Sequence, residues 1–199
     1  MRIFLIGAFL LLTTSCKAQN NQKLESEIIS LYKIKDKDIQ SCKKEGNEIR
    51  KMKKTEEWII ENIYQQCTAR LEHLNFFRNN TLKMLKKTSD EENLLIINYI
   101  SSNITIPFDT KTILYANSSY YGIKHYFDSE NDKTIEKNEE FEVSKFEIDI
   151  IEKIDEYLKT GKSEYFSNKS NGQIGLHRVW KVIARINGKV RMIELYRIK

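Results

Sequence analysis

Proline is nearly absent, with Pro107 alone among 199 residues, and glycine occurs only seven times. A loop-rich β-sandwich needs turn formers at short intervals, so long uninterrupted elements are favoured instead. Long apolar runs are missing too. The longest, Ile3 to Leu12, has ten residues, half of the roughly 20 that a membrane-crossing helix needs. Charge of one sign is also lacking. The 33 Lys and Arg against 28 Asp and Glu leave a net +5, short of the clustered excess of a dedicated nucleic-acid binder, and no nucleic-acid partner is expected. Catalytic signatures are missing as well: the chain has no G-x-S-x-G, P-loop, dinucleotide fingerprint, H-E-x-x-H or C-x-x-C. His73, His125 and His177 are far apart and in no metal-ligand spacing. Glu56-Glu57, Glu91-Glu92 and Glu139-Glu140 read as first-turn or loop charges. No catalytic residue, cofactor or metal is expected.

What is present is enough for a globular core. Hydrophobic residues make up 40% of the chain and aromatics 11%, and the 31% charged fraction is mixed in sign. At the N-terminus, Met1-Arg2 is followed by the apolar run and then by Thr13-Thr14-Ser15 before Cys16, the three-part plan of a secretory signal. The junction Leu12-Thr13-Thr14-Ser15-Cys16-Lys17 resembles the bacterial lipoprotein signal family, with Thr13 where a leucine is commonest. The resemblance covers residues 1–16. It implies a lipid on the Cys16 thiol, cleavage before that cysteine, and a chain anchored in the cell envelope facing the periplasm or exterior. Ordinary cleavage after Ala18, giving a soluble exported chain, fits the same plan.

The expected organisation is a signal over 1–15, a polar tether over 16–22, a helical region over 23–104 and a small α+β unit over 105–199. Leu24, Ile28, Ile29, Leu31 and Tyr32 form one short amphipathic face, and Ile39, Cys42, Ile49 and Met52 a sparser one. The strongest stripe is Ile60, Ile63, Tyr64, Cys67, Leu71, Leu74 and Phe77, spaced three and four apart on one side of a helix. Lys53 to Glu57 reads as a helix-to-helix junction, with Gly46-Asn47 as a rival break. Ser89 and Glu92 match a capping box and predict a helix carrying Leu94, Leu95, Ile97 and Ile100. Beyond Pro107, Thr112 to Phe127 predicts one or two strands, and 128–140 an acidic loop. Ser144 with Glu147 predicts a second capped helix, ended by Gly161, with Phe146, Ile150, Ile151, Ile154 and Leu158 on one face.

Asn187-Gly188 between two alternating runs predicts a two-residue hairpin. That register pairs Trp180 with Leu195, Lys181 with Glu194 and Val182 with Ile193, placing Trp180, Val182, Ile193 and Leu195 on one face. The fold class is therefore α+β: an N-terminal helical bundle or hairpin followed by a small antiparallel sheet packed against one helix.

Cys42 and Cys67 each lie 12 residues from a turn at Lys54-Thr55. Antiparallel helices bring them opposite each other on facing stripes, and an oxidising compartment favours a disulfide. Residues 177–199 carry seven cations against Glu194, while 128–156 carry twelve acids against four lysines. Arg178, Lys181, Arg185, Lys189, Arg191 and Arg197 form a candidate patch for an anionic partner, lipid head groups or an acidic protein. The simpler reading is that the acidic helix packs on the basic strands and neutralises them. Two functions follow: an envelope lipoprotein that binds another protein as inhibitor, immunity factor or assembly partner, or a small hydrolase with a site around His125 or His177.

Overall fold

A computed structural model describes residues 23–51, 56–87, 94–101, 109–130, 133–168, 179–186 and 189–198. Helix α1 covers 23–31, α2 covers Asp36–Arg50 and α3 covers Glu57–Leu85. Four strands follow: β1 (Leu95–Ile100), β2 (Thr110–Ala116), β3 (Ser119–Glu130) and β4 (Lys133–Phe141). Helix α4 (Lys145–Thr160) leads to β5 (Phe166–Ser167), β6 (Val179–Ile186) and β7 (Lys189–Arg197). The strands form one sheet in the order β4-β3-β2-β1-β6-β7-β5, with every described pairing antiparallel. The α+β class is as expected, and no described helix is long and apolar enough to cross a membrane.

Because side chains alternate along a strand, the sheet has two faces, and each is covered. On one face Leu24, Ile28 and Tyr32, with Phe77, Met84 and Leu85 of α3, pack on Ile96, Ile100, Leu114, Ile123 and Ile183. On the other, Ile150, Ile151 and Ile154 of α4 pack on Leu95, Ile97, Ile113, Trp180, Val182 and Leu195. The division expected at 104/105 falls between β1 and β2, which pair through all six residues of β1.

Helix α2 runs through Gly46, so the break falls after Arg50 and not at Gly46-Asn47. The helix expected over Leu94 to Ile100 is instead β1, the middle strand of seven. All six of its residues are buried. A strand covered on both faces has no polar side to show, so its apolar run carries no period of two. Ser89 and Glu92 lie outside the described residues. The acidic loop expected over 128–140 is the end of β3 and most of β4. Here the strand lies at the sheet edge, where charged residues block further strand addition and mask the usual alternation.

Expected elements that do occur follow local rules. Ser144 caps α4 in a reciprocal box with Glu147, and Gly161 ends it at φ 71°. The pairs Trp180–Leu195, Lys181–Glu194 and Val182–Ile193 are all present, while Asn187-Gly188 itself lies outside the described residues. Between β2 and β3, Asn117 and Ser118 take φ of 52° and 58° to make a tight turn.

Candidate functional site

Of the two histidines expected to carry a hydrolytic site, His125 lies within the described residues. Thr110 of β2, His125 of β3 and Asn138 of β4 stand side by side across the face beneath α3. Phe76 of α3 stacks on the imidazole with centroids 3.8 Å apart, and Phe127 meets it edge-on at 5.0 Å. Asn138 Nδ2 donates to Asn80 Oδ1 of α3 at 3.0 Å. His125 Nε2 lies 3.1 Å from Glu136 Oε1, a close but poorly aligned contact. Burial pushes the imidazole below its ordinary range, and the carboxylates of Glu136 and Asp109 only partly oppose it. A histidine and an acid therefore meet here, with the Thr110 hydroxyl on the neighbouring strand hydrogen-bonded to neither. However, His125 is only 1% exposed, and a general base must reach the proton it removes.

Farther along the same face the buried polar groups satisfy one another. Asn98 Nδ2 donates to Tyr32 Oη at 2.8 Å and to the Lys181 carbonyl at 3.3 Å. Thr112 Oγ1 donates to Asn98 Oδ1 at 2.9 Å, and Tyr32 Oη shares a 2.8 Å bond with Thr81 Oγ1. Burial raises the Tyr32 hydroxyl well above its ordinary value, so it stays protonated. This network ties α3 and the end of α1 to the three middle strands, and its chemistry is that of a clamp.

On the opposite face the capping residue Glu147 does more than cap. Its Oε1 accepts from Tyr99 Oη at 2.5 Å and from Lys111 Nζ at 2.7 Å, and Oε2 accepts from Ser144 N and Oγ. Burial acts to raise this carboxyl, but the bonds from Lys111, Tyr99 and Ser144 outweigh it and hold it below the ordinary range. Lys111 also sits 4.5 Å above the Phe141 ring. That ring lies against Gly122, where any Cβ would come within 2.7 Å of it.

The accessible chemistry lies elsewhere. Phe146 is 61% exposed, Ile198 43% and Tyr165 40%. Phe146 was expected on the buried face of α4. At about 100° per residue it falls outside the arc of Ile150, Ile151 and Ile154, which Glu147 completes. Arg197 lies 6.0 Å from the Phe146 centroid and Lys153 4.1 Å from that of Tyr165. Ile198 N donates to the Tyr165 carbonyl at 2.8 Å. Two aromatic rings, two cations and an isoleucine thus share one surface at the β5–β7 edge. Phe146 and Lys153 come from α4, Tyr165 precedes β5, and Arg197 and Ile198 end β7, which the β5–β7 pairing brings alongside Tyr165.

Cys42 and Cys67 form the expected disulfide, with Cα atoms 5.5 Å apart. Cys16, Arg178 and His177 lie outside the described residues. The basic residues of 178–197 do not make one patch: Lys181 and Arg185 belong to the face under α1 and α3, and Lys189, Arg191 and Arg197 to the α4 face. Lys181 pairs with Glu194. Nor does the acidic helix neutralise these strands as a block. Asp128, Glu140, Glu147, Asp149 and Asp155 pair with Lys137, Lys87, Lys111, Lys153 and Lys159. His73 is buried, edge-on to Phe77 at 5.0 Å.

Comparison of the chain with protein-family models, with characterised proteins and with solved structures finds no match.

Proposed function

We propose that this chain is an exported envelope lipoprotein, anchored through lipid on Cys16, that acts by binding another protein. The observation that carries the binding reading is the joint exposure of Phe146, Tyr165 and Ile198 beside Arg197 and Lys153. Aromatic residues and arginine dominate the binding energy of protein interfaces, and a folded monomer gains nothing by clustering them in water. The buried disulfide agrees with an oxidising compartment. The hydrolase reading is weakened by the seal over His125.

A photo-crosslinking residue at position 146, used in intact cells, tests the binding face. One adduct of discrete size is expected, lost when Tyr165→Ala and Arg197→Ala are combined. Equal crosslinking from a control position on the exposed side of α3, such as Glu72, overturns the reading. For the anchor, Cys16→Ala is expected to free the protein from the membrane fraction or block its processing. A soluble wild-type protein beginning at Gln19 overturns it.

A further inference from the structure

Strand β7 lies between β6 and β5, but β5 covers little of it. β6 pairs with it from Lys189 to Tyr196, whereas β5 meets only Tyr196 and Arg197. Backbone groups alternate sides along a strand. The Ile198 N–H faces β5, where it donates to the Tyr165 carbonyl, so by parity the N–H and C=O of Val190, Met192 and Glu194 point the same way. Among the described residues nothing pairs with that outer side of Lys189 to Leu195. Side chains do not wall it off either: Val190, Met192 and Ile193 are half-buried, and Lys189 and Arg191 are exposed. Val190 and Met192 border the core under α1 and α3, and Ile193 the core under α4. Lys189 and Arg191 share the α4 face, about 7 Å apart as alternate residues of a strand. Among the described residues neither forms an ion pair, and Glu194, the one acid of the strand, is held by Lys181. The opposite sheet edge is different: β4 carries five charges of both signs, two of them paired with Lys87 and Asp128.

We propose that the outer side of β7 takes an extended segment of a partner protein, acidic and apolar at alternate residues, as an eighth strand in line with β5. The inference rests on the protein-binding reading of the adjoining β5–β7 surface and names the partner's chemistry. Outward N–H and C=O groups at alternate residues are matched by another extended backbone, which is how strand addition gains affinity. Every described pairing in the sheet is antiparallel, and the added strand follows β5 in that direction. Residues directly opposite then share a face. On the α4 face the segment lies against Lys189 and Arg191, which select acids. On the other it lies against Val190 and Met192, which select apolar side chains. A second copy of this chain does not fit. The α4 face of β7 reads Lys189, Arg191, Ile193, Leu195 and Arg197, so a second β7 brings no acid to the two cations. The row that β5 begins runs on from Tyr165 and Ile198, so one partner covers both.

The probe is a capped peptide of alternating valine and glutamate, added to the isotope-labelled full chain at about 2 mM, enough to register a Kd of about 1 mM. Amide exchange of Val190, Met192 and Glu194 should slow at least about three-fold, as the free fraction at that affinity requires. The amides of Arg191 and Ile193, which face β6, should not change. The valine–lysine counterpart should leave all five unaltered, and Lys189→Glu/Arg191→Glu should exchange the two preferences. Methylating the valine nitrogens, which carry the bonds to β7, should abolish the effect, and methylating the glutamate nitrogens should spare it. No slowing with the valine–glutamate peptide, equal slowing with both peptides, or equal tolerance of both methylated forms overturns the proposal. Exchange that slows at the three amides of the free chain as its own concentration rises assigns the edge to a second copy and overturns it too. Protection at β7 without an adduct from position 146 supports the added strand and counts against the wider binding face. An adduct from position 146 without protection at β7 overturns the strand and leaves that face standing.

Discussion

Trp180 stacks on Tyr99 with centroids 4.2 Å apart and meets Phe166 edge-on at 6.4 Å, under the cover of α4. Its neighbour Lys181 points to the other face and pairs with Glu194. Trp180→Ala removes a large ring from a packed layer and should cost about 3–5 kcal/mol. Lys181→Ala loses a half-exposed ion pair, worth under about 1 kcal/mol. Denaturant midpoints compare them directly, and equal shifts would mean the two faces are misassigned. At the same scale His125 makes stability depend on pH. Burial lowers its proton affinity from the ordinary 6.5, so in acid the unfolded chain takes a proton that the folded chain refuses. Stability therefore falls as pH drops from about 6.5 toward the folded value. The depressed carboxyl of Glu147 adds a second loss once pH falls below its ordinary 4.5. His125→Phe should flatten the first window and leave the second. A wild type as stable at pH 5 as at pH 7 would refute the assignment.

Helix α2 depends on its disulfide more than on its own burial. Of its described side chains Cys42 alone is buried, and Ile39 of the same stripe is 38% exposed. The bond closes a loop across a separation of 25 residues, worth on the order of 3 kcal/mol by loop entropy. After reduction, or in Cys42→Ser/Cys67→Ser, amide exchange should quicken in α2 well before the strands. Protection in α2 unchanged by reduction would mean that packing alone holds it. The same elements mark what sequence can disclose. The β6–β7 hairpin and α4 are legible because each carries a local instruction, Asn-Gly with alternation in one case and a capping box with a terminal glycine in the other. The disulfide was legible from spacing because two stripes faced each other across one turn. β1 was not, since a strand buried on both faces shows no period, and β4 was not, since charges at a sheet edge imitate a loop. The polar network was illegible for another reason: Tyr32 and Asn98 bond across 66 positions. No local pattern encodes such a contact, and the Phe146, Tyr165 and Ile198 surface is hidden in the same way.

At the scale of the molecule, the sheet is the shared wall of two cores. The helical region and the C-terminal unit divided at 104/105 are consecutive in sequence but not separable in packing. β1, which precedes that point, lies between β2 and β6 and hydrogen-bonds to both. A fragment of residues 105–199 lacks this middle strand, and β2 and β6 would have to meet across its gap or stay apart. It should therefore be unfolded, without dispersed amide resonances. Restoring β1 in a fragment of 94–199 rebuilds the sheet but leaves Ile96, Ile100, Leu114, Ile123 and Ile183 without α1 and α3. A bare apolar sheet face of that extent favours association, so this longer fragment should form strands yet elute as aggregates. In the intact chain the two cores share every central strand, so the far-ultraviolet signal and the Trp180 environment should be lost in one transition. A 105–199 fragment that is monomeric and cooperatively folded would show that α4 and the outer strands suffice as a domain, and the single-wall description would then be wrong.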